Sequence, residues 1–155
     1  MTSEQASYYQ RRYWSQLSEK EKAERLASFI EAGQKHNKKS KKTKIENVMA
    51  DILDELEFDY DRNVQVGRYN VDFLIDAVYI VECFGDFWHC NPSVYEAAFF
   101  NKSLKMTAQE KWAKDERRKK TLESKGFAFI SFWGAEIREE RESIKGRLKN
   151  FLPRK

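Results

Sequence analysis

Two short apolar stretches carry acids where apolar strands seldom do. One is Tyr69-Asn70-Val71-Asp72-Phe73-Leu74-Ile75, and the other is Ile80-Val81-Glu82-Cys83-Phe84, which runs on through Gly85, Phe87 and Trp88 to His89. Burying a carboxylate without a partner costs on the order of several kcal/mol, a cost that a divalent cation shared by two acids offsets. Strand alternation puts Val71, Phe73 and Ile75 on one face and Asp72 on the other. It also puts Glu82 opposite Cys83, leaving the Cys83 backbone carbonyl on the Glu82 side. Asp72, Glu82 and that carbonyl form a hard-oxygen set suited to Mg2+ or Mn2+, ions that keep several waters and bind phosphate. One such water can be a nucleophile, and an imidazole at His89 can exchange a proton near neutral pH. The pattern points to metal-dependent hydrolysis. Plainer roles exist for each piece: Asp72 as an edge acid, His89 as a packed ring, and Asp115 as a helical partner of Lys111 or Lys119. Glu46 could serve only the dipole of the helix it opens.

Periodicity predicts the elements that position these groups. Ile45, Val48, Met49, Ile52, Leu53 and Leu56 fall on one helix face, so residues 44–57 form a helix docked on a core, with Glu46 in its first turn. Strands are expected at 63–67, 70–76 and 78–84 as a meander, turning at Gly67 and around Asp76-Ala77. A helix over 107–125 carries Trp112, Leu122 and many charges and closes at Lys125-Gly126. Residues 127–133 read as a buried aromatic strand, and 135–151 as a helix. This order predicts an α/β or α+β fold, a mixed sheet of about four strands flanked by helices. Upstream, Ser18 and Glu21 form a capping box, and Leu26, Phe29 and Ile30 make a thin apolar stripe. A basic run through Lys38, Lys39, Lys41, Lys42 and Lys44 follows. The expected division is a helical and basic arm over 1–42 and a globular domain over 43–155.

Composition narrows the class of partner. At 155 residues and 41% hydrophobic, the chain can bury one core. The net charge is only +4, from 29 Lys+Arg against 25 Asp+Glu, yet the basic residues cluster, which favours a polyanion over a membrane. The polar start and the lack of a span-length apolar run lead to an expected cytoplasmic location. There Cys83 and Cys90 stay reduced, and with His36 remote from them a structural zinc is not expected.

Taken in order, Lys44-Ile45-Glu46, Val71-Asp72-Phe73, Gly85-x-Phe87-Trp88-His89 and the stretch from Lys111 to Arg118 around Asp115 resemble the very-short-patch repair endonucleases. They are similar too to the wider Glu-Asp-x-His-Asp nucleases, which include phage and intron-associated homing endonucleases on the restriction-endonuclease-like PD-(D/E)xK core. The resemblance spans residues 43–137. It implies a metal-dependent DNA endonuclease or nickase of phage or mobile-element type, working in a bacterial or phage-infected cell. On that likeness Asp72 is the principal metal ligand and His89 the general acid/base, while Glu46 and Asp115 hold water, metal or histidine in place. The basic run, Arg117 and Arg118 would contact phosphates, and Phe87 and Trp88 match part of the aromatic wedge of the repair enzymes. The alternatives are a mismatch-directed repair nickase and a catalytically silent DNA-binding module. Two departures stand out. The positions of the repair enzymes' zinc ligands correspond to Asp86, Asn91 and Ser93, and Phe84 stands where the PD-(D/E)xK lysine would be, so more of the proton transfer falls to His89.

Overall fold

A computed structural model describes residues 12–34 and 42–153 of the chain. The elements in order are α1 (Glu19–Gln34), α2 (Lys44–Glu55), β1 (Asp61–Val66), β2 (Tyr69–Ile75) and β3 (Tyr79–Phe84). A short ribbon of β4 (Phe100–Asn101) and β5 (Met106–Thr107) follows, then α3 (Ala108–Ser124), β6 (Ala128–Trp133), α4 (Gly134–Glu139) and α5 (Arg141–Phe151). The main sheet has the order β1-β2-β3-β6. Its first three strands form an antiparallel meander, and β6 joins β3 in parallel. A tight turn cannot join parallel strands, so the chain leaves the sheet after β3 and returns through α3. The β2–β3 turn is tight: Asp76 and Ala77 both have positive φ, at 52° and 56°, and Val78 N–H donates to the Ile75 carbonyl at 3.1 Å.

Each face of the sheet buries its own core. Phe73, Ile75, Val81, Cys83 and Phe132 pack against Met49, Ile52 and Leu53 of α2, Ile137 of α4, and Ile144 and Leu148 of α5. On the other face Val64, Val66, Val71, Ile80 and Phe129 meet Leu26 of α1 and Leu122 of α3. The helix expected in an N-terminal arm therefore lies on the sheet, with Phe29 against Gly67, where an added Cβ would come within 2.6 Å of the ring.

Val71 does not share a face with Phe73 and Ile75, contrary to simple alternation. The β2–β3 rungs run Ile75↔Tyr79, Leu74↔Ile80 and Phe73↔Val81 and go no further. Beyond them the Asp72 carboxylate, not a strand carbonyl, accepts the Cys83 N–H at 2.8 Å. A side chain has replaced a rung, and the change of face falls there. The helix expected over 135–151 is likewise two helices, broken at Glu140 (φ −122°, ψ 45°). Ile137, Ile144 and Leu148 all face one core, so their spacing carries no trace of the break.

Candidate active site

The strands part at Asp72, and the notch so formed opens into a cleft of about 560 Å³. Glu46, Asp72, Glu82, Cys83, His89 and Asp115 all line it, as do Lys44, Trp88 and Arg118. Asp72 is part-buried as a residue, but its carboxyl sits against the sheet end, out of contact with most water. That desolvation, joined by the charge of Glu82 and only partly opposed by the Cys83 N–H, pushes the carboxyl up to about 8. Glu82 is buried, and burial raises its carboxyl as well, against the pull of Arg118. Arg118 Nη2 donates to Glu82 Oε1 at 2.7 Å and to the Asn70 carbonyl at 2.8 Å. One cation thus faces two acids.

The fit of a metal can be judged from these donors. Among the described residues no group of three or more His, Cys, Asp or Glu side chains is gathered to hold an ion. Two carboxylates and a strand carbonyl suit an ion of the magnesium type, which fills its remaining positions with water and phosphate. The Asp72 carboxyl, raised beside a second acid, is one that a divalent cation would return to its ionised form. The Cys83 thiol packs in the core with Met49, Ile52 and Phe132, and burial pushes it up, so without a metal it stays protonated.

His89 is held on three sides. Its backbone N–H donates to the Gly85 carbonyl at 3.0 Å, and its ring stacks on Phe84, with centroids 4.1 Å apart and planes at 4°. Nδ1 lies 2.8 Å from Asp115 Oδ2, while Lys111 Nζ donates to Asp115 Oδ1 at 2.7 Å. Burial alone would raise the Asp115 carboxyl, but His89 and Lys111 outweigh it and hold the group below the usual carboxylate range. An ionised carboxylate only accepts, so the hydrogen sits on Nδ1 and a neutral ring keeps a free lone pair on Nε2. That lone pair is a base. Glu46 caps its own helix, accepting weakly from Thr43 N at 3.4 Å, and pairs at 3.9 Å with Arg62 while lining the cleft. Its helix-end role and its place in the cleft coexist.

The remaining expected residues fall into three groups. Arg118 points inward to Glu82 instead of outward to solvent, because a buried carboxylate needs a cation more than water does. Arg117 is exposed on α3, as are Lys42 and Lys44 near the start of α2, while Phe87 and Trp88 are 40% and 55% exposed. Lys38, Lys39 and Lys41 lie outside the described residues. Asn70 is a site residue that sequence reasoning did not place, while Lys111, expected as a helical partner of Asp115, pairs with it at 2.7 Å and also lines the cleft.

Hydrogen bonds hold the segment between β3 and α3. Asp86 Oδ1 accepts from Asn91 Nδ2 at 2.8 Å, and its Oδ2 accepts from Arg138 at 2.9 Å. Asn101, fully buried, donates to the Phe87 carbonyl at 3.0 Å and accepts from the Ser103 and Leu104 N–H groups. Replacing Asn101 with Ala removes those three bonds, each worth on the order of 1 kcal/mol, and leaves a small gap at a fully buried position. Asn101→Ala is therefore expected to lower the denaturation midpoint and to speed hydrogen exchange across 85–107 before the sheet exchanges. Uniform exchange would show that Asn101 does not anchor this segment.

No protein-family model matches the sequence, and no curated protein does. A four-stranded mixed sheet between helices, with its acids at the parted ends of two strands, is a fold of the restriction-endonuclease-like class. Among solved structures, the chain is similar to the catalytic domain of the homing endonuclease I-Bth0305I, with a TM-score of 0.51 and 24% identity. The match covers 71% of this chain and 94% of that domain.

Proposed function

We propose that the protein is a metal-dependent DNA endonuclease that hydrolyses phosphodiesters in this cleft. The observation that carries the reading is the meeting of Asp72, Glu82 and the His89–Asp115 pair in one cleft, on a fold shared with a homing endonuclease catalytic domain. Asp72, Glu82 and the Cys83 carbonyl would hold Mg2+ or Mn2+, which when bound acidifies water and offsets charge on the phosphate. His89 Nε2 takes or returns the proton, with Asp115 fixing the ring, and Glu46 orients water at the cleft wall. Incubating genomic DNA fragments with the protein and Mg2+, then sequencing the ends, tests this. Recurrent new ends support it, and intact fragments reject it.

The basic run supplies sequence-independent contacts in this reading. Neutralising Lys38, Lys39, Lys41, Lys42 and Lys44 is expected to weaken binding to all DNA. It should also flatten the log–log salt dependence by roughly one unit per lost contact while cleavage positions stay unchanged. An unchanged slope would make the run a solvated linker. One observation favours a second reading, a mismatch-directed nickase: Phe87 and Trp88 are exposed beside the cleft with their rings at 5.2 Å, free to stack on bases. A duplex cut only when mismatched would select it.

A further inference from the structure

We propose that Lys111 is a positioning residue of this site, holding the Asp115 carboxylate in the orientation that fixes which nitrogen of His89 carries the hydrogen. The proposal rests on reading His89 as the proton-transfer group. On α3, Ala108 and Leu122 are buried, and between them Lys111, Asp115 and Arg118 follow the spacing of the same helix face. A face that ought to be apolar thus carries three charges in its middle. Arg118 is explained by Glu82. Lys111 is not explained by solvent, since its side chain is 14% exposed and that of Asp115 is 13%. An exposed pair at helical spacing contributes little, whereas this one borders the cleft and shares its acid with His89.

The two oxygens of Asp115 are divided between two partners, Oδ1 to Lys111 at 2.7 Å and Oδ2 to His89 at 2.8 Å. The carboxylate torsion is soft, and Arg118 lies close enough on the same helix for its charge to act on Asp115. Without Lys111, Asp115 has a rival cation to turn toward. With Lys111 in place, Oδ2 stays on His89, Nδ1 keeps its hydrogen and Nε2 faces the reaction as an acceptor. Trp112 Nε1 donates to the Cys90 carbonyl at 2.7 Å, tying α3 to the segment that carries His89. Relative movement of the two cannot substitute for the lysine.

The test uses the full chain with His36→Gln, which leaves one imidazole. Long-range nitrogen–proton spectra of that ring are expected to show a single tautomer protonated at Nδ1, and a mixture in Lys111→Met. Lys111→Arg, whose cation can still reach Asp115, should restore the single form. In cleavage assays Lys111→Met should lose roughly tenfold or more in kcat. DNA affinity and salt slope should stay at their starting values. A ring spectrum unchanged in Lys111→Met overturns the proposal, as does lost affinity with about one unit of salt slope and unchanged kcat, which marks a phosphate contact. Lys111→Gln replaces the Met variant if the latter does not fold. If the starting protein cuts no DNA, the proposed function falls, and the ring spectra still decide the role of Lys111.

Discussion

Asp72→Asn is expected to be inactive and yet, without divalent metal, more stable than the parent protein at pH 8. Unfolding returns the Asp72 carboxyl from about 8 to the ordinary value of 3.8. Between those values the folded state binds the extra proton, so stability is fully present below about pH 4 and is lost as pH rises through 8. Asparagine removes the charge that causes the loss. Its Oδ1 can still accept the Cys83 N–H, and its Nδ2 can donate to Glu82, so the notch keeps its shape. Each pKa unit is worth about 1.4 kcal/mol, which puts the expected gain at a few kcal/mol at pH 8 and near zero at pH 4. Urea unfolding in chelator at both pH values measures it. Added Mg2+ should stabilise the parent and leave the Asn variant unchanged. Equal stabilities at pH 8 would mean that the carboxyl is not strained by its surroundings.

His89→Gln is expected to lower kcat by on the order of a hundredfold or more, with DNA affinity within a few-fold of the parent. The stacking on Phe84 and the bond to Asp115 hold the ring in one pose, so the loss belongs to proton transfer, not to folding. The pH–rate profile separates the two. A proton-transfer group gives the parent an acid limb that the variant lacks, and matching rates from pH 6 to 9 would make His89 a packing residue.

What the sequence revealed and what it hid have physical causes. The stripe from Ile45 to Leu56 announced α2 because one face of a helix pays no attention to the rest of the fold, and the expected strands fall within about two residues of β1, β2 and β3. Asp72 and Glu82 were visible as acids out of place in apolar strands. The parting of β2 from β3 was not, because alternation assumes a continuous ladder and Asp72 is where the ladder stops. The inward turn of Arg118 and the burial of the Lys111–Asp115 pair were hidden by a helix so rich in charge that every lysine looked solvated. A signal was present all the same: Ala108, Lys111, Asp115, Arg118 and Leu122 share one face, and that face is buried at both ends. The β4–β5 ribbon, with strands of two residues each, is too short for any periodicity to show.

If this cleft cuts DNA with a metal held at Asp72, as proposed, supercoiled plasmid is a substrate on which a single break is visible. The parent protein and Asp72→Asn are each incubated with plasmid in Mg2+ and in excess chelator, and the circular and linear products are separated. Nicked or linear DNA is expected from the parent in Mg2+ alone, and none in the other three reactions. Cleavage in chelator, or by Asp72→Asn at the parent's rate, would mean that no metal held at Asp72 takes part in the reaction.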